Sequence, residues 1–235
     1  MSSKRQQILL PFRHSLKKAI ELYGLPFDNE KLDRLLATGI KPNTLTYLLE
    51  NKASGLLNIL ALNSVRYFGG RALFVDAGNS ADPYLIRREA DSRKKDSAST
   101  RNLLRSIKLA RVFTCHQLTN FIIEQLPDLL SEQSDESNDP IKFVGVSGLD
   151  AVFSEEDSTK KEISNLQYLI SRKLSDVSKD RKNGVMFVVA SSREQCSHLL
   201  SCSDIAIEIY RDRKTGRDRA ALLRHPTRRG AELEL

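Results

Sequence analysis

The sequence predicts an α/β fold: a mostly parallel central sheet flanked by helices, ending in an antiparallel edge hairpin and preceded by a short helical N-terminal cap. Three observations predict it. From Asn43 onward, short apolar runs rich in β-formers alternate with longer amphipathic stretches, the pattern of βαβ units. Ala72-Leu73-Phe74-Val75 is apolar throughout, as a strand covered on both faces requires, and it is bracketed by Gly69-Gly70 and Asp76. Near the C-terminus two apolar runs are joined by Arg-Asp-Arg-Lys-Thr-Gly-Arg-Asp, whose Lys-Thr-Gly core supplies turn residues.

In chain order, residues 12–39 read as the helical cap. Leu16, Ile20 and Leu22 recur at helix-like spacing, Pro26 interrupts, and Leu32, Leu35 and Leu36 begin a second run. Gly39 and Pro42 mark a boundary, which divides the chain into a cap at 1–40 and a core domain at 41–235. A first strand is expected at 44–49, a helix at 56–67, and then the strand at 72–75. Further strands fit 109–114, 141–146, 185–190, 204–210 and 219–224, the last two forming the hairpin at the sheet edge. Helices fit 115–127 and 159–179; in the second, Ile163, Leu166, Ile170, Leu174 and Val177 form one apolar stripe. Residues 128–139 carry Asp128, Glu132, Asp135, Glu136 and Asp139 with no Lys or Arg, which reads as an exposed acidic loop.

The 235 residues hold 37 Lys and Arg against 30 Asp and Glu, a net charge of +7 and a pI of about 9.3 that favour a partner bearing negative charge. Cys115, Cys196 and Cys202 are an odd number in a chain without an apolar leader, which argues for an intracellular, cytoplasmic protein, nucleoid-associated if it binds DNA. No apolar run approaches the roughly 20 residues of a membrane helix.

The order of elements, with Gly-Gly-Arg-Ala-Leu-Phe-Val-Asp at 69–76, Ser-Ala-Asp-Pro-Tyr-Leu-Ile at 80–86 and Leu-Ala-Arg-Val-Phe-Thr-Cys-His-Gln-Leu at 109–118, resembles the RecA/RadA recombinase family, especially archaeal RadA paralogues. The resemblance spans roughly residues 40 to 230. It implies a RecA-like core with a nucleotide site after the first strand, where Glu-Asn-Lys-Ala-Ser-Gly-Leu-Leu stands at 50–57.

A phosphate-binding loop is Gly-x-x-x-x-Gly-Lys-Ser/Thr because glycines let backbone N–H groups wrap the phosphates, the lysine neutralises charge, and the hydroxyl holds magnesium. In the family register Glu50 replaces the first glycine, Gly55 keeps the second, Leu56 replaces the lysine and Leu57 the hydroxyl. Phe143-Val144-Gly145-Val146 runs into Ser147-Gly148 where the family has its magnesium-holding aspartate. Gly78 stands where RadA-type recombinases carry a water-activating glutamate, two residues beyond Asp76. Both Walker motifs are therefore degenerate, and neither ATP nor magnesium is expected as a cofactor. Lys52, four residues before Leu56, is the counter-argument, since a lysine there could in principle reach a phosphate from the wrong register.

Other candidates have plainer explanations. Asp76 at a strand end suits a site but also caps a turn. Gly-Val-Ser-Gly-Leu at 145–149 approaches the Gly-x-Ser-x-Gly nucleophile elbow, with Ser147 as nucleophile and His198 or His225 as the downstream base, yet Leu149 takes the last glycine's place. Cys196, His198 and Cys202 are metal-ligand types at a spacing no zinc knuckle uses, so no metal site is expected.

Two basic stretches remain, 87–111 with nine Lys or Arg against three acids, and 211–229 with eight against two. The second is the better DNA-binding candidate: Arg211, Arg213, Lys214, Arg217 and Arg219 cluster on the hairpin, and Arg228 and Arg229 follow. The chain has no Trp, and aromatics make up 6% of it, which points to electrostatic contact with little sequence readout. The family's DNA-binding loop after 185–190 reads as shortened.

Together these features and the resemblance lead to an expectation of a catalytically inactive RecA/RadA-like paralogue. It acts as an accessory protein in DNA recombination and repair, its partners a RadA-type recombinase or another paralogue, single-stranded DNA as a further candidate, and no membrane. The alternatives are an atypical DNA-dependent ATPase of the RadA family working through Lys52, and a scaffold with no nucleic-acid role.

Overall fold

The computed structural model describes residues 24–36, 39–50, 53–92, 97–131, 139–154, 159–180, 184–191, 196–228 and 230–235. Leu16, Ile20 and Leu22 of the expected cap lie outside them. The cap's second run forms α1 (Glu30–Leu36), started by Asn29, whose Oδ1 accepts the Lys31 and Leu32 N–H groups. An isolated bridge joins Leu25 to Ile40, and Leu25, Phe27, Leu32, Leu35 and Leu36 are buried in the same core as the sheet.

The core alternates as the sequence predicts. β1 (Leu45–Glu50) leads to α2 (Ala53–Phe68), β2 (Arg71–Asp76), α3 (Pro83–Ser92), α4 (Ser97–Arg105) and β3 (Ile107–Arg111). The chain then passes through α5 (Cys115–Asn120), a π-helical turn at Phe121–Gln125 and α6 (Leu126–Ser131) to β4 (Ile141–Ser147) and α7 (Leu149–Ser154). After α8 (Lys160–Ser178) come β5 (Met186–Ser191), α9 (Ser197–Cys202), β6 (Ile205–Arg211), β7 (Asp218–Arg224) and β8 (Glu232–Glu234).

The eight strands form one sheet in the order β3-β2-β4-β5-β1-β6-β7-β8. Strands β1 to β6 are parallel, and β6-β7-β8 are antiparallel. Two apolar layers cover it. Leu48, Phe74, Phe143 and Val188 face Leu57, Leu60 and Ala61 of α2, while Tyr47, Val75, Val146 and Val189 face the side of α8, where Ile170 and Leu174 are buried. Among the described residues no helix is long and apolar enough to cross a membrane.

Several expectations shift in detail. β3 occupies 107–111 rather than 109–114, because Thr114 is already committed to capping α5: its hydroxyl accepts the Gln117 N–H, and Gln117 Oε1 accepts the Phe113 N–H. The single helix expected at 115–127 is broken by a π turn, in which the Leu126 N–H reaches back to the Phe121 carbonyl. Pro127 accounts for it: proline has no N–H and its ring crowds the carbonyl four residues back, so widening the turn relieves the clash. Helix α6 continues to Ser131, so Asp128 is helical rather than part of an acidic loop, and residues 132–138 fall outside the described range. The β6–β7 hairpin is present, but β8 pairs along β7 and forms the true edge. Gly69 and Gly70 turn the chain into β2 as the sequence indicates; Gly70 has φ +73°, and a Cβ there would lie 2.4 Å from the Pro140 carbonyl oxygen.

Candidate functional site

Because β1 to β6 run parallel, their carboxyl ends lie along one side of the sheet, the place where open α/β sheets gather ligands. Asp76 and Ser147 end β2 and β4 as register partners. Asp76 is 1% exposed and its carboxylate is filled by its own chain. Oδ1 accepts the Ser80 N–H at 2.8 Å and the Ser147 hydroxyl at 3.3 Å; Oδ2 accepts the Ala81 N–H at 3.1 Å and faces Arg111 Nε at 3.9 Å. The Ser80 hydroxyl lies 2.6 Å from that of Ser147 and 3.1 Å from Asp76 Oδ1, so one proton serves both.

The turns after β2 and β4 touch. The Ala77 N–H donates to the Ser147 carbonyl at 2.9 Å. A Cβ on Gly78 would fall 2.8 Å from Gly148 Cα, and one on Gly148, whose φ is +73°, would fall 2.1 Å from Gly78 N. Any side chain at 78, glutamate included, would have to displace backbone. Glycine is there for close approach.

At the end of β1 the connection is short. β1 ends at Glu50 and α2 begins at Ala53, so Gly55 lies inside the helix rather than in a loop, and the helix starts three residues before the expected 56. A phosphate cradle needs a run of loop N–H groups converging on one point. Packing does not require glycine at 55, where a Cβ would meet nothing within 4 Å. Leu56 is half-buried, packed on the core. Leu57 is fully buried and seated over Gly145, where an added Cβ would lie 3.1 Å from Leu57 Cδ1. Half-buried Glu50 shares a cleft of about 480 Å³ with Leu32, Leu56, Ile209, Arg211 and Asp218. Lys52 lies outside the described residues.

The structure brings the basic candidates together only in part, and it gives most of them partners within the protein. Arg211 Nε donates to the Gly216 carbonyl, and Arg217 Nη1 bonds Glu234 Oε1 at 2.7 Å. Arg219 lies 3.3 Å from Glu232 and 3.8 Å from Asp212. Arg228 Nη1 sits far from the hairpin tip, donating to the carbonyls of Arg34 and Leu35 at the end of α1. Arg229 lies outside the described residues. Arg213 and Lys214 are exposed at the tip, and no side-chain bond of either is present among the described residues. Arg224, which the sequence reading did not single out, donates from Nη1 to the carbonyls of Leu200 and Ser201 and so ties β7 to α9.

Ser147 is 2% exposed and donates to Asp76. Among the described residues neither histidine bonds it: His198 pairs with Ser164 Oγ at 3.2 Å, and His225 Nδ1 accepts the Thr227 N–H. The nucleophile-elbow geometry is therefore not assembled. Cys196 is buried, and burial followed by the nearby Asp150 charge pushes its thiol up to about 12. The described residues hold no cluster of three or more His, Cys, Asp or Glu placed to grip a metal.

Sequence reasoning identified Asp76, Gly78 and Ser147 separately but missed that they meet, together with Ser80, Arg111 and Gly148. The available signal was Gly78 and Gly148 placed just past two adjacent strand ends. No protein-family model matches this chain, and no curated protein matches its sequence.

Proposed function

We propose that the chain is a catalytically inactive RecA/RadA-like paralogue, an accessory protein of DNA recombination and repair that works by binding rather than by turnover. The observation that supports the reading is that the carboxyl ends of β2 and β4 are filled by the chain itself. Gly78 and Gly148 are in backbone contact and Leu57 is buried in the core, at the positions that the RecA/RadA register would give to the water-activating glutamate, the residue after the magnesium-holding aspartate and the hydroxyl residue. Asp76 is engaged by Ser80, Ser147 and Ala81, which stand where ligand atoms would otherwise bind. The residues present do not fit a magnesium triphosphate: Glu50 ends β1, Leu56 and Leu57 pack into the core where the family has its lysine and hydroxyl, and no carboxylate ends β4.

A fold that has given up its nucleotide keeps its surfaces. Among the described residues β3 ends the sheet, paired only with β2, beside an apolar groove of about 320 Å³ lined by Phe74, Tyr84, Leu104, Ile107 and Leu109. Arg87 lines the groove and Lys108 and Arg111 stand on the strand, all exposed. This edge fits an extended, acidic segment of a RadA-type recombinase or another paralogue, with an apolar side chain in the groove. Arg213 and Lys214 fit the phosphates of single-stranded DNA.

Titration of the full chain with a fluorescent ATP analogue and magnesium tests the inactive reading. No saturable binding is expected at micromolar nucleotide. Micromolar affinity that disappears in Lys52→Ala would instead overturn the inactive reading.

A further inference from the structure

On the opposite face of the sheet from α2, helices α8 and α9 carry an organised basic and aromatic surface, joined to β7 through Arg224 but distinct from the Arg213 and Lys214 hairpin tip. Tyr168 on α8 is 43% exposed and its neighbour Leu169 47%. The ring is held from two sides. His198 of α9 meets it edge-on, with centroids 5.8 Å apart and planes at 76°, while Arg172 Nη1 donates to its hydroxyl at 2.9 Å. His198 is itself fixed by Ser164 Oγ, one helical turn before Tyr168. Lys160, Lys161 and Arg172 are exposed on the same helix and Lys173 half-exposed, against the exposed acids Glu162 and Asp176. Seven residues separate Lys161 from Tyr168 and four separate Tyr168 from Arg172, so all three fall on one side of α8.

We infer that this face of α8 and α9 binds single-stranded nucleic acid, with a base stacked on Tyr168 and phosphates met by Lys161 and Arg172. An exposed tyrosine is normally free to turn. One held by a histidine ring and an arginine loses less rotamer freedom on receiving a base, and a guanidinium that gives one N–H to the phenol, with the Asp176 carboxylate nearby, keeps other donors for a phosphate. The positive excess selects an anion, and the flat ring distinguishes a nucleobase from other polyanions. The inference rests on the proposal that the protein works on DNA, and it adds a second contact surface to the hairpin.

Fluorescence anisotropy of the full chain with labelled oligothymidylate at low salt tests it, circular dichroism confirming that each variant is folded. Tyr168→Ala is expected to weaken binding roughly five- to a hundredfold, and Tyr168→Phe, which keeps the ring face, by about twofold at most. Lys161→Ala should reduce the slope of log affinity against log salt by about 0.7. If Tyr168→Ala binds as the native chain does while Arg213→Ala/Lys214→Ala loses binding, the DNA reading stands and the α8 site is wrong. If the native chain binds no oligonucleotide, both fail. If polyglutamate competes as well as oligothymidylate, the face takes acidic peptides and the inference is overturned.

Discussion

Gly78 and Gly148 are in backbone contact at the ends of adjacent strands, close enough that a Cβ on Gly148 would sit 2.1 Å from the nitrogen of Gly78. The contact ties the turn after β2 to the turn after β4, beside the Asp76–Ser147 pair.

Gly148→Ala is therefore expected to cost about 3 kcal/mol or more, since it adds a backbone collision to the strain of a positive φ. Gly184→Ala is the matched control. Its φ is +58° but an added Cβ meets nothing within 4 Å, so it should cost about 1 kcal/mol. Urea midpoints of the two variants decide the matter; equal losses would mean that the contact is loose.

Asp76→Asn replaces a buried acceptor by a donor that faces the Ala81 N–H or the Ser80 N–H. A loss of about 2–4 kcal/mol is expected. Ser147→Ala removes one of several donors and should cost about 1 kcal/mol. The same urea titrations measure both, and a smaller effect for Asp76→Asn than for Ser147→Ala would show that the carboxylate is not the hub.

Alkaline pH should destabilise the protein through Cys196. Burial raises this thiol from 9.0 to about 12, with Asp150 adding to the effect, and burial likewise raises the Tyr47 phenol, 2.5 Å from Ser191 Oγ. In this window the unfolded chain has released the proton and the folded chain still holds it. Stability is therefore full below pH 9 and falls as pH rises toward 12, by about 1.4 kcal/mol per pH unit for the thiol. Unfolding free energies at stepped pH should fall less steeply for Cys196→Ala than for the native chain.

Much of the fold was legible because it is written in short-range patterns. The stripe through Ile163, Leu166, Ile170, Leu174 and Val177 defined α8 to within a residue at each end, and the Thr159 cap fixed its start. Ala72 to Val75 read as a buried strand because both faces are covered. Helix α3 was not read from the sequence, although Asp82 and Pro83 carry its cap and first position, with Asp82 Oδ1 accepting the Tyr84 and Leu85 N–H groups.

The site was less legible, because it depends on what meets across strands. Leu57 reads as a missing hydroxyl in a motif; in three dimensions it is a core residue seated over Gly145. Gly78 reads as a lost glutamate and is a packing requirement. Arg217 and Arg219 read as free cations, since nothing local announces that Glu232 and Glu234 on β8 stand opposite them. A strand of three residues gives too little periodicity to be read.

The place of β1 in the sheet has a consequence for biosynthesis. Residues 45–50 are made early, yet their neighbours are β5 at 186–191 and β6 at 205–211. A nascent chain thus carries a buried strand with both hydrogen-bonding edges open until β5 has been made, and with one edge open until residue 211. Contacts of such long sequence separation close slowly and leave an aggregation-prone intermediate. Chains truncated before β5 should depend on chaperones to stay dispersed.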